Sequence, residues 1–176
     1  MSLNVELLEK SFDLIRPQAK EFSASFYFKL FQANPEVEAL FDNTNIDKQQ
    51  KKLISSLALI VENLRNPESL EVALKSLGAY HVTTGTLDRY YPLVGKALLD
   101  TFKVYLGQQW TPELAKTWLD AYNAICELML QGAANPDIYL ETGLSFYEWL
   151  DLYGESSPFV REAIATMTNF QYGNGN

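Results

Sequence analysis

The sequence predicts an all-α fold of seven or more helices, and three observations carry that expectation. Apolar residues recur at intervals of three and four along nearly the whole chain. No segment alternates apolar and polar residues long enough to make a strand, and Pro or Gly falls at the breaks between periodic stretches. With 47% apolar residues over 176 positions, one substantial core can form without staples.

The elements follow in order. Val5, Leu8, Phe12 and Ile15 make an amphipathic first helix that stops at Pro17. A second helix runs from about Gln18 to Gln32, with Phe22, Phe26, Tyr27, Leu30 and Phe31 covering too much of its circumference for a surface element. Asn34-Pro35-Glu36 opens a short helix that ends near Phe41, before the polar stretch Asp42-Asn43-Thr44-Asn45. Asp47 and Gln50 fit a capping box for a helix from about Lys48 to Leu64. Asn66-Pro67-Glu68 opens the next, which Thr83-Thr84-Gly85-Thr86 breaks. Asp88 begins a helix through Pro92, Val94, Leu98 and Phe102 to Leu106. Thr111-Pro112-Glu113 then opens a long one with the stripe Leu114, Trp118, Ala121, Ile125 and Leu128 or Met129.

Charge and composition exclude several classes of function. A net charge of -8 offers no field for phosphate backbones, and the basic knot Lys48, Lys51 and Lys52 reads as a solvated helix face, so no nucleic-acid partner is expected. The start Met1-Ser2-Leu3-Asn4-Val5-Glu6 has no basic segment followed by an apolar stretch, and no window approaches about 18 uncharged apolar residues. A soluble cytoplasmic protein with no membrane partner is the expectation. The single cysteine, Cys126, rules out an internal disulfide framework and suits a reducing compartment.

The one histidine, His81, lies on an apolar stripe. Leu70, Leu74, Leu77 and His81 stack along one helix face. A buried imidazole needs a partner, either a carbonyl that accepts its N–H or a metal. Gln49 is the second polar residue on a buried line, Gln49, Leu53, Leu57, Ile60 and Leu64. It reads either as a wet first-turn residue or as one facing a pocket.

Five segments together resemble bacterial single-domain globins near the flavohaemoglobin and neuroglobin branches. They are Phe26-Tyr27-Phe28-Lys29-Leu30-Phe31; Asn34-Pro35-Glu36-Val37 with Leu40-Phe41; Leu77-Gly78-Ala79-Tyr80-His81; Tyr91-Pro92-Leu93-Val94-Gly95 with Leu98-Leu99; and Leu106-Gly107 with Trp110-Thr111-Pro112-Glu113 and Trp118. The resemblance spans about Leu3 to Gly132 and implies the three-on-three globin sandwich around haem b, iron protoporphyrin IX. It implies a globin domain over residues 1–134, followed by a helical extension over 135–170 and a disordered tail over 171–176.

Transferred by this resemblance, His81 is the proximal iron ligand and Phe41 the ring that packs on the porphyrin. Tyr27 and Gln49 face the distal side, with Gln50 the neighbouring alternative to Gln49, and Leu53 lines the ligand pocket. Lys52, Leu77, Val94 and Tyr122 complete the expected haem-binding set, and Lys52 is also an unusual candidate for the sixth coordination site. Tyr91 matches a tyrosine that helps a glutamate on the last helix to pin the proximal imidazole. That glutamate is absent, since Ala133 stands at its position.

With one histidine the chain cannot coordinate iron from both sides by imidazole. The expected function is reversible binding of dioxygen, carbon monoxide and nitric oxide, as an oxygen carrier or haem-based gas sensor, with no catalytic residue assigned. The alternative is a haem redox enzyme, a nitric oxide dioxygenase or one acting on nitrite or peroxide. It would depend on an external reductase, because no glycine-rich dinucleotide fingerprint is present. A haem-free regulatory domain or a bilin-binding antenna of related fold is a third reading, its antenna form weakened by the place of Cys126 inside a core helix. The extension carries Ile138, Leu140, Leu144, Phe146, Tyr147, Trp149 and Leu150, then Ser157-Pro158 opens a helix with Phe159, Val160, Ala163, Ile164 and Met167. So much apolar surface is expected to fold back on the body, form a homodimer contact or begin a signalling segment.

Overall fold

The computed structural model describes residues 3–141 together with 157, 158, 160 and 161. Eight α-helices occur among them: α1 (Val5–Asp13), α2 (Ala19–Ala33), α3 (Pro35–Glu38), α4 (Ile46–Glu62), α5 (Pro67–Thr83), α6 (Tyr91–Leu106), α7 (Pro112–Ala133) and α8 (Pro136–Glu141). No strand occurs among the described residues. The expected breaks are where Pro and Gly place them. Pro17 sits in a short 3-10 turn after α1, and Thr111 caps α7 by accepting the Leu114 N–H on its Oγ1 at 3.2 Å.

Two starts differ from expectation: α6 begins at Tyr91, after a 3-10 turn over Asp88–Tyr90 where the sequence places the start of the helix, and α4 begins early. Asn45, not Asp47, caps α4, its Oδ1 accepting the Lys48 N–H at 2.9 Å, so the helix begins two residues early. Asp47 falls in the first turn, where a carboxylate favours the positive end of the helix dipole. The Gln49 N–H donates to the Asn45 carbonyl at 3.0 Å, so Gln49 belongs to formed helix rather than to a frayed end.

Helices α1, α4 and α5 form one layer of a sandwich and α2, α6 and α7 the other. α5 packs on α7, α2 on α4, and α1 on α7 across the layers. Two glycines set the closest of these approaches. A Cβ on Gly78 of α5 would lie 1.8 Å from the Met129 carbonyl oxygen, and one on Gly132 of α7 would lie 1.9 Å from that of Lys75. The backbones touch, and no side chain fits between them.

An aromatic cluster fills the core below. The Phe102 ring lies 4.9 Å from Phe22 and 4.1 Å from Trp118, centroid to centroid. The Trp118 indole N–H donates to Ser11 Oγ at 3.0 Å, which settles its one polar atom. Such rings anchor α1, α2, α6 and α7 together and leave α4 and α5 to close over the crevice described below.

Of the expected extension, α8 packs against α5. Ser157 is buried, donates its hydroxyl to the Glu62 carboxylate at the end of α4 (2.9 Å) and accepts the Val160 N–H at 3.0 Å. Val160 is 1% exposed within the main core. At these points the extension folds back on the body. The rest of the expected extension and the tail over 171–176 lie outside the described residues. No helix among the described residues is long and apolar enough to cross a membrane.

Candidate haem crevice

His81 sits in the last turn of α5, and the sequence after it fixes its backbone. Gly85 adopts φ +78°, a conformation costly for any residue with a Cβ. The chain therefore reverses so that the Thr86 N–H donates to the His81 carbonyl (3.0 Å) and the Gly85 N–H to that of Val82 (3.1 Å). This is the paired bonding of a Schellman cap. The Thr84 N–H (3.2 Å) and hydroxyl (2.9 Å) also donate to the His81 carbonyl.

The imidazole so placed walls three adjoining spaces. The inner one, about 170 Å³, is bounded by Leu57, Ile60, Leu77, Leu98, Trp118, Ile125, Cys126 and Met129. A second, about 190 Å³, lies toward α2 and is bounded by Phe26, Tyr27, Leu30, Val37, Phe41, Gln49 and Lys52. Leu53, Ser56, Leu77, Tyr90 and Val94 border both. A third, about 210 Å³, has Thr44, Gln49, Lys52, Tyr80, Thr84 and Thr86 on its walls. His81 and Thr86 belong to all three, so they form one crevice with an apolar interior and a polar, lysine-bearing mouth.

Every residue of the expected set borders this crevice. Tyr27, Phe41, Gln49 and Lys52 line the α2 side, Tyr91 and Tyr122 the inner space, and Leu53, Leu77 and Val94 both. Gln50 borders none of the three spaces. The Phe41 ring packs 5.8 Å from Tyr27 and 5.2 Å from Phe31. Sequence reasoning missed Thr86, on the irregular connection after α5, and Tyr90, in the 3-10 turn Asp88–Tyr90 that precedes α6, where no apolar stripe marks an inward face. It also left Cys126 and Met129 unassigned to the site, although Met129 stood on the predicted stripe of α7.

Chemically, the His81 Nδ1 is sealed from water and has no hydrogen-bond partner. Burial pushes its imidazole from the usual 6.5 down to about 4. Between those values the unfolded chain binds a proton that the folded pocket refuses. Stability therefore rises with pH across this interval, is complete above 6.5 and is lost as pH falls toward 4, by about 3 kcal/mol at most. In haem-free protein, His81→Leu should flatten this slope when the denaturant midpoint is followed against pH.

Nearby, the Tyr91 ring stands edge-on to the imidazole, with centroids 6.2 Å apart. Burial pushes its phenol up to about 12. The Tyr122 hydroxyl donates to the Tyr91 carbonyl at 2.6 Å, and Gly95 leaves the slot that the Tyr122 ring occupies. Burial also raises the Tyr122 phenol and the Cys126 thiol. Ala133 does not border the crevice. What surrounds His81 is the Tyr91 ring, itself tied to Tyr122, and the cap that follows the helix.

Among the described residues no group of three or more His, Cys, Asp or Glu could hold a bare metal ion. One imidazole suffices only for a metal that brings its other ligands in a macrocycle. The globin family model matches residues 24–129. The chain is a globin. Haem is the group this family holds, and the unpartnered Nδ1, apolar interior and basic mouth fit it.

Known proteins similar to this globin include the flavohemoprotein of Rhizobium meliloti, 33% identical over 106 residues, covering 59% of this chain and 26% of that protein. Flavohemoprotein B of Dictyostelium discoideum is 27% identical, covering 84% of this chain and 34% of its own length. The chain thus spans about a third or less of these two relatives. The anaerobic nitrite reductase HBII of Casuarina glauca is 29% identical, with 68% of this chain and 83% of that protein covered. Among solved structures, an engineered carbene transferase derived from RmaNOD of Rhodothermus marinus superposes with a TM-score of 0.69 at 27% identity, covering 79% of this chain and 99% of that one.

Proposed function

We propose that this globin binds dioxygen and other diatomic gases reversibly at a haem b held by His81, as a carrier or gas sensor. The observation that carries the reading is the sealed, unpartnered His81 Nδ1 in a crevice shared with Tyr27 and Gln49. Haem iron supplies the coordination site for the gas. The chain supplies donors on the α2 and α4 walls. A Tyr27 hydroxyl and a Gln49 amide favour a ligand that accumulates negative charge, and dioxygen does so more than carbon monoxide. The surrounding Phe26, Leu30, Val37 and Phe41 keep water away and strengthen those bonds.

Stopped-flow gas release tests this. Tyr27→Phe or Gln49→Leu should raise the oxygen dissociation rate about tenfold for each lost bond of roughly 1.4 kcal/mol, with a smaller change for carbon monoxide. Equal changes for both gases would mean that the two side chains act as steric gates. A larger oxygen effect from Gln50→Leu would overturn the choice of Gln49.

A second reading rests on the relatives. The Casuarina glauca protein is named a nitrite reductase, and the Rhodothermus marinus protein is named for nitric oxide dioxygenase activity. On this reading the same crevice turns over nitric oxide or nitrite with electrons from a separate reductase. Steady-state nitric oxide consumption with an added flavin reductase separates the two, since a carrier or sensor shows no sustained turnover.

A further inference from the structure

The chain has one thiol, which borders the inner space of the crevice and also an outer space walled by Asp88, Lys96 and Asp100. Cys126 borders the inner space with Ile60, Trp118, Ile125 and Met129, and His81, with its sealed and unpartnered Nδ1, borders the same space. The mouth beside α4 is polar and the inner space is mostly apolar. Lys52, Thr44 and Thr84 mark the mouth, whereas aliphatic and aromatic side chains close the interior. Protoporphyrin is amphiphilic in the same sense, with two propionates along one edge and two vinyl groups away from it. Burying a carboxylate in the apolar end would cost far more than burying a vinyl. A haem bound with its propionates at the lysine-bearing mouth would place its vinyl edge in the interior, where Cys126 carries the S–H.

On the reading that this crevice holds haem b, we propose that Cys126 is a covalent attachment site, joined to a haem vinyl group as a thioether. The sulfur bonds to the vinyl carbon attached to the ring, the thiol hydrogen goes to the terminal carbon, and the vinyl double bond is lost. No electron enters or leaves, so the step needs no oxidant or reductant as a reactant. The Tyr122 hydroxyl lies beside the thiol on the same wall of the inner space. That hydroxyl is itself held on the Tyr91 carbonyl. Half-burial of Cys126 favours this partner over exogenous thiols, because the reacting vinyl is already inside the cavity.

The test is mass spectrometry of the full chain after incubation with iron protoporphyrin IX under reducing conditions, followed by extraction with acid and organic solvent. The expected result is a polypeptide heavier by one haem, and a pyridine haemochrome whose visible band moves to shorter wavelength as one vinyl is saturated. Cys126→Ala should keep the Soret band yet release all its haem on extraction. Wild-type protein loaded with iron mesoporphyrin IX, which has ethyl groups in place of vinyls, should release all its haem as well. Complete extraction of protoporphyrin haem from the wild type, or covalent haem in Cys126→Ala, would overturn the attachment while leaving the haem reading intact. A wild type with no Soret band after reconstitution would overturn the haem reading itself, and the attachment with it.

Discussion

His81→Ala should lose its haem. Globin haem is held by one protein–iron bond and by burial of the porphyrin, and here only one imidazole exists to make that bond. Loss of a partner that merely orients a metal ligand weakens binding by about 10- to 100-fold, and loss of the ligand itself should exceed the upper end of that range. Haem content after desalting and the ferrous spectrum measure the effect. Added imidazole, entering the space left by the ring, should restore part of the ligated spectrum. Haem content and spectra equal to wild type would remove His81 from its role.

The same side chain carries an opposite effect on the haem-free fold. A buried nitrogen without a partner costs about 1–3 kcal/mol, and the His81 Nδ1 is such an atom. His81→Leu, which fills the space without a polar atom, should therefore leave the haem-free protein as stable as wild type or more stable at neutral pH. A residue that destabilises the empty fold and is required for the loaded one is tuned for a ligand. A core histidine paired with a carbonyl would lower stability when removed and leave haem uptake unchanged.

How much of this was legible beforehand depended on the kind of signal. Helical stripes are periodic, so Leu70, Leu74, Leu77 and His81 declared their shared face, as did Gln49 with Leu53 and Leu57. Prolines and Thr83 to Thr86 declared the breaks. The cap of α4 was misplaced by two residues because Asn45 and Asp47 are both good caps, and only the path of the chain after Phe41 selects between them. Thr86 lies on a connection without a repeat and Tyr90 in the one-turn 3-10 helix before α6, and their approach to His81 depends on Gly85 turning the chain back. The joining of α4 and the extension through Glu62 and Ser157 spans 95 positions in the sequence, and no local pattern encodes it. Role assignment was different again. Composition and spacing left His81 open between core and metal, and the globin resemblance with the sealed Nδ1 supplied the direction.

Gly78→Ala should damage both the fold and the crevice, although glycine to alanine within a helix ordinarily stabilises by about 1 kcal/mol. The added Cβ would sit 1.8 Å from the Met129 carbonyl oxygen and 2.7 Å from its Cα. Both are backbone atoms, so no rotamer change relieves the clash, and α5 must move away from α7. Overpacking of this kind costs about 1–3 kcal/mol even where side chains can yield, so the clash outweighs the gain in propensity. For a chain of this size each kcal/mol lowers Tm by roughly 2–4 °C. The movement also has a direction. Gly78 lies three residues before His81, and Met129 three residues after Cys126, so separating the helices widens the inner space between the imidazole and the α7 wall. Haem affinity should fall together with Tm in Gly78→Ala, and likewise in Gly132→Ala, whose Cβ meets the Lys75 carbonyl. Thermal denaturation and haem transfer to an acceptor apoprotein measure the two effects. A Gly78→Ala protein as stable as wild type would mean that the helices do not meet backbone to backbone. A lower Tm with haem affinity unchanged would mean that the contact holds up the fold without shaping the site.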